Sequence, residues 1–291
     1  MPDAPAPRRG KARRVLRLAL AAAALFAFAD AFVYEPYFAL HSERTQIVSK
    51  NWPESLGGLR IAVVSDIHAG GMPFEKWRVG RVVEEVNSLS PDIVLLLGDF
   101  VNGGFNLTSM PPEELAGILS GLRAPLGKFA VTGNHDEYAG AAGLTRALEG
   151  VGIRFLDSSS IRVDSPLGTF FVAGIPDMAT SRFSLKKAFE NVPPGAPCLF
   201  LTHEPELFPA LPRKASAVFA GHTHGGQVRL PLVGSPLGMG AAAGQGRADG
   251  LFVNYLGIPM FVTRGVGTST IPARFFCTPR VELITITGGG G

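Results

Sequence analysis

Cysteine is nearly absent from these 291 residues: Cys198 lies in an apolar run, Cys277 in RFFCTP, and neither stands at metal-ligand spacing. A disulfide framework and a thiolate zinc site are excluded, and both read as buried thiols. An unbroken apolar run of about 20 residues, enough for a full membrane span, is also lacking. The longest near the N-terminus, Leu18–Ala29, stops at Asp30. Excess charge is lacking too once the first residues are set aside. Arg8, Arg9, Lys11, Arg13, Arg14 and Arg17 against Asp3 give residues 1–17 a net +5, so the overall +3 leaves −2 for residues 18–291. The body therefore gives no support to nucleic-acid binding, which needs a basic surface. Internal repeats are absent, and 46% hydrophobic with 18% charged residues excludes a disordered interior.

What is present at the N-terminus is a basic tip, then LALAAAALFAFA, Asp30 and AFVYEPY. This pattern predicts membrane targeting: a cleaved secretory signal with Ala27-Phe28-Ala29 as a small-x-small site, or a short anchor extended through Ala31–Tyr34. Anchorage is the favoured of the two. Arg13-Arg14-Val15-Leu16-Arg17 resembles a twin-arginine export signal. The positive-inside rule keeps the basic tip cytoplasmic and exports the body. The expected divisions are 1–34 for targeting, 35–59 as a connector holding a solvated His41, 60–287 as the catalytic domain and 288–291 as a flexible glycine tail.

Five of the six histidines stand at the ends of short apolar runs: IAVVSDIH (Ile61–His68), IVLLLGD (Ile93–Asp99), FAVTGNHD (Phe129–Asp136), CLFLTHE (Cys198–Glu204) and AVFAGHTHGG (Ala217–Gly226). Aliphatic runs ended by Gly or polar residues read as buried strands. Helices are expected around Trp77–Leu89 and after Pro111-Pro112, a hairpin at Ile161–Asp164 and Thr169–Ala173, and closing strands near Met260–Thr263 and Val281–Ile286. The alternation predicts an α/β domain. Neighbouring strands would gather Asp66, His68, Asp99, Asn134, His135, His203, His222 and His224 at one rim. Oxygen and nitrogen donors in that number suit a pair of divalent ions.

The ordered set DxH, GD, GNHD, H and GHxH resembles the calcineurin-like metallophosphoesterase superfamily over roughly residues 60–287. GHTHGGQ (Gly221–Gln227) and TRGVGTSTIPARFFC (Thr263–Cys277), behind an apolar N-terminus, resemble its membrane-associated bacterial branch. That branch includes twin-arginine-exported phosphoesterases and the UDP-2,3-diacylglucosamine pyrophosphatase of lipid A synthesis. The resemblance implies a four-layer αββα sandwich of two mixed β-sheets, with a dinuclear site at the strands' loop ends. It also implies a first metal on Asp66, His68 and His224, a second on Asn134, His203 and His222, and Asp99 bridging both. His135 would contact phosphate and protonate the leaving group. Asp136 would orient that imidazole or simply cap a helix.

Asn134 is also expected at the substrate, and Arg264 and Arg274 are candidate phosphate contacts, with a salt bridge the alternative for each. Mn is the expected metal, with Fe, Zn or Co also suiting the donors. Protein phosphatases of the superfamily carry GDxVDRG where this chain has GDFVNGG (Gly98–Gly104), which argues against phosphoprotein substrates. The expectation is a metal-dependent phosphohydrolase cleaving a phosphodiester or diphosphate at a membrane, with a lipid-linked substrate in view. A UDP-2,3-diacylglucosamine diphosphatase would need the body on the cytoplasmic face. A non-catalytic scaffold and a nuclease are the remaining alternatives.

Overall fold

The computed structural model describes residues 9–70, 74–104, 108–210, 213–236 and 246–289. Arg8 of the basic tip and the last two glycines lie outside the described residues. The chain opens with helix α1 (Arg9–Ala29), which continues through a wide turn at Asp30–Tyr34 into α2 (Glu35–Phe38). Then come β1 (His41–Ser49), β2 (Leu59–Val64), α3 (Glu75–Ser88), β3 (Ile93–Leu96), α4 (Pro112–Leu119) and β4 (Lys128–Ala130). The middle of the chain supplies α5 (Asn134–Ala139), α6 (Ala141–Glu149), β5 (Ile153–Phe155), β6 (Ser159–Ser165), β7 (Gly168–Gly174) and α7 (Leu185–Ala188). The last strands are β8 (Cys198–Leu201), β9 (Ala217–Ala220), β10 (Gly250–Val253), β11 (Pro259–Val262) and β12 (Arg280–Gly288).

Two mixed six-stranded sheets result, ordered β1-β12-β2-β3-β4-β5 and β10-β11-β9-β8-β7-β6. β2 to β5 run parallel in the first, and β7, β8, β9 and β11 run parallel in the second. The apolar runs are continuous because both faces of each central strand are covered. In β2, Ile61 and Val63 face the space between the sheets, while Ala62 and Val64 meet the helices. In β9, Ala217 and Phe219 face the same inner space, while Val218 and Ala220 pack outward with Ala188 and Phe189. Period-two alternation inside a uniformly apolar strand thus feeds two cores at once. On the helical side, Val79, Val82, Val83 and Val86 recur at helical spacing on α3, and Pro112 with Glu113 and Glu114 starts α4.

Residues 35–59 are more than a connector. They hold β1, a nine-residue edge strand paired in parallel with β12. Its polar HSERTQ hides the strand because only Ile47 and Ser49 are buried. His41 opens β1 and is exposed. Gly288 is likewise part of β12, and the Gly289 N–H donates to Ser49 O, so half of the expected glycine tail is paired.

Among the described residues, one helix, Gly10–Phe38, is long and apolar enough by length and composition to cross a membrane. Asp30 does not interrupt it. Its lower end docks on the domain: Ala31, Glu35 and Pro36 are buried, Arg274 N donates to Ala31 O, and Cys277 N donates to Glu35 Oε2.

Candidate metal centre

β2, β3, β4, β8 and β9 all end at one edge of the sandwich, where parallel strands bring their carboxyl ends together. Asp66 and His68 follow β2, Asp99 follows β3, Asn134 and His135 follow β4, His203 follows β8, and His222 and His224 follow β9. The approach of these loops is close enough to demand glycine. A Cβ at Gly133 would lie 2.3 Å from Asp99 Oδ1, and one at Gly221 would lie 2.0 Å from Ser65 Oγ.

Two donor groups result, each with ligand atoms mutually within 4.8 Å: Asp66, His68, Asp99 and His224, then Asp99, His203 and His222. Asp99 belongs to both. Its Oδ2 lies 3.4 Å from His68 Nε2 and 3.3 Å from His203 Nε2. His224 Nε2 is 3.4 Å from Asp66 Oδ1. Imidazole nitrogens face each other at 3.1 Å in both groups, His68 Nε2 with His224 Nε2 and His222 Nδ1 with His203 Nε2. Asn134 adds a buried Oδ1 with no hydrogen-bond donor among the described residues. Imidazole nitrogens packed against one another and an orphaned amide oxygen suit cations, which would be coordinated by both.

The backbone fixes the donors. His203 Nδ1 lies 2.7 Å from Leu97 O, so the proton sits on Nδ1 and Nε2 turns to the site. His222 N donates to Asp66, and His135 N donates to Asp99 Oδ1 at 2.8 Å.

Charge among the donor side chains is uneven. Burial would raise Asp99, but His203 and His68 outweigh it and hold the carboxyl well below its usual range. Burial would likewise lower His203, yet Asp99 and Asp66 hold it well above an ordinary imidazole. Burial pushes Asp66 up to about 6, His68 down to about 3 and His222 down to about 4, and keeps His224 well below its ordinary value. The site thus holds one ion pair, Asp99 with His203, among imidazoles kept neutral.

His135 stands beside this centre, its ring 4.6 Å from that of His68. Asp136 does not touch the imidazole. It is fully buried and accepts from Phe100 N, Val101 N and Gly133 N, so it is the cap of α5 and a tie to the Asp99 loop. The His135 ring is held instead by Gly103 O at Nδ1 and by Ser269 Oγ at Nε2. Arg274 is no phosphate contact. It is fully buried, and its donors go to the carbonyls of Gly267, His224, Cys277, Arg264 and Gly265. Arg264 Nε is committed to Asp249, which also takes Arg229, so Arg264 stands in an ion-pair network. The sequence carried Ser269 and Gln227 in TRGVGTST and GHTHGGQ, but no spacing rule joins segments 42 residues apart.

The calcineurin-like phosphoesterase family model matches residues 59–226. A metallophosphoesterase of Aquifex aeolicus, itself uncharacterised, is 30% identical over 263 residues, 88% of this chain and 95% of that protein. A Danio rerio transmembrane protein with a metallophosphoesterase domain is 32% identical over 201 residues, 64% of this chain and 45% of that protein. The UDP-2,3-diacylglucosamine pyrophosphatase LpxG of Chlamydia trachomatis serovar D is 30% identical over 223 residues, 60% of this chain and 66% of that protein.

Proposed function

This chain belongs to the calcineurin-like phosphoesterase family of metal-dependent hydrolases, and we propose that it cleaves a phosphodiester or diphosphate bond in a membrane-proximal substrate. The observation that carries the proposal is the sharing of Asp99 between two donor groups. Asp66, His68 and His224 would hold one divalent ion and Asn134, His203 and His222 the other, with Asp99 between them. When bound, such a pair lowers the pKa of a water and offsets charge on the phosphoryl oxygens. His135 presents Nε2 beside the centre and would give its proton to the leaving oxygen. Manganese is the ion we propose, among the manganese, iron, zinc and cobalt ions that such nitrogen and oxygen donors accept.

The membrane part rests on the apolar helix and its docked base, with the domain on the extracytoplasmic side because the basic tip stays inside. A second reading, a UDP-2,3-diacylglucosamine diphosphatase, is favoured by the likeness to LpxG and requires the opposite side.

The test is hydrolysis by the full chain in detergent with manganese, offered UDP-2,3-diacylglucosamine beside bis(4-nitrophenyl) phosphate. Chelation should abolish turnover and manganese restore it. On methyl phenyl phosphate, whose leaving oxygen needs a proton, His135→Ala should lose about a hundredfold or more, and Asn134→Ala should fall with it. Full activity in both variants would sink the mechanism. Strong preference for the UDP-lipid would select the second reading, and activity on the plain diester alone the first.

A further inference from the structure

We propose that Ser269 is a positioning residue for His135, and that Gln227 fixes Ser269 in place. The inference rests on reading His135 as the proton donor. The imidazole is held at both nitrogens: Nδ1 lies 2.9 Å from Gly103 O, and Nε2 lies 3.2 Å from Ser269 Oγ. A carbonyl only accepts, so Nδ1 keeps its proton whether the ring is neutral or charged. In the neutral ring Nε2 accepts from the Ser269 hydroxyl. In the imidazolium Nε2–H donates to the Ser269 oxygen until a leaving oxygen takes its place. A hydroxyl serves both states because it both donates and accepts. Gly103 permits this grip, since a Cβ there would lie 1.7 Å from His135 O.

Ser269 lies in the loop between β11 and β12 and is 5% exposed. Its N–H donates to Gln227 Oε1 at 2.9 Å. Gln227 Nε2 donates to Ser269 O at 3.1 Å and to Ile271 O at 2.7 Å. A fully buried glutamine thus gives its whole amide to three backbone groups of one short span. Gln227 stands three residues after His224, so this brace ties the Ser269 loop to a segment of the metal centre.

The proton balance is complete. As the ester P–O bond breaks and the water oxygen bonds to phosphorus, the leaving oxygen takes the Nε2 proton. The imidazolium is thereby left neutral, its remaining proton directed at Gly103 O. It is reprotonated at Nε2 from solvent, which has received the proton lost by the attacking water.

The test compares methyl phenyl phosphate with methyl 4-nitrophenyl phosphate on the manganese-loaded full chain. The second leaving group departs with little proton help. Ser269→Ala should slow the phenyl ester about tenfold or more and the nitrophenyl ester no more than a few-fold. Ser269→Thr should restore most of the loss, and Gln227→Ala should share the pattern of Ser269→Ala. In a His135→Ala background Ser269→Ala should add nothing, because the two act as one unit. Side-chain ¹⁵N resonances of His135 in the metal-free protein should show the Nδ1-protonated ring, with Nε2 shifted in Ser269→Ala. Equal losses on both esters, additive losses in the double variant or an unmoved Nε2 resonance would each overturn the proposal. If His135→Ala itself loses both esters equally, the proton-donor reading fails, and the ¹⁵N comparison still decides whether Ser269 holds the ring.

Discussion

Five of the seven side chains gathered at the centre stand on left-handed backbone: Asp66, His68, Asp99, His222 and His224, with φ between 48° and 68°. Each non-glycine residue so placed costs about 1–3 kcal/mol and persists only where its surroundings dictate it. The strain turns each donor off the end of its strand and into the shared space. Protonation sets the second condition on this site. A divalent ion must displace the proton of His203, held well above an ordinary imidazole once Asp99 and Asp66 outweigh burial, and that of Asp66, which burial lifts to about 6. Both protons leave as pH rises, so affinity rises with pH. The His203 proton makes it fall about tenfold per unit from well above the ordinary imidazole range downward, and below about pH 6 the Asp66 proton adds about another tenfold per unit. Titration of manganese from pH 7.5 to 5, read by the signal of the free ion, checks this, and a flat affinity would contradict it.

Strands buried on both faces were legible as apolar runs, whereas the half-exposed edge strand β1 and the short β5 were not. Ile61–Val64, Ile93–Leu97, Cys198–Leu201 and Ala217–Ala220 are apolar throughout because each lies between two cores. The rule that reads them fails for β1, an edge strand with one buried aliphatic, and for the three-residue β5. β1 nevertheless covers the edge of β12, which would otherwise present unpaired backbone to solvent. The expected consequence is an uneven response along that strand. Ile47→Ala, at a fully buried position, should lower stability by about 2–5 kcal/mol. Val48→Ala, at a position 58% exposed, should be nearly silent. Thermal unfolding of the two variants measures the difference, and equal behaviour would mean that β1 is not seated on the sheet.

At the scale of the molecule, the apolar helix and the domain are joined by more than chain continuity. Ala31 and Glu35 take backbone N–H groups of Arg274 and Cys277, in the loop whose carbonyls Arg274 collects. That same loop carries Ser269 to His135. A chain beginning at Ala39 keeps β1 and loses the apolar helix. It should stay in solution without detergent, with a modestly lower melting temperature because two N–H groups lose their acceptors. A chain beginning at Asn51 lacks β1 and should aggregate. Sedimentation and melting of the two chains check this. Retention of the first on membranes would show that the domain surface binds lipid by itself.

That these residues gather at one edge was readable from order, because each directly follows an apolar run and such runs end at one edge of a parallel sheet. The amphipathic spacing of α3 and the proline start of α4 were readable for the same local reason. What the tertiary structure decided was partnership over distance. Asp136 and Arg274 looked chemical in sequence, yet the fold buries both and gives their polar atoms to backbone groups. Ser269 and Gln227 looked ordinary, yet chain reversal between β9 and β12 sets one against the other and Ser269 beside His135. Local sequence fixes periodicity and caps. Which carbonyl meets which imidazole depends on how the two sheets pack, and no short window of sequence contains that.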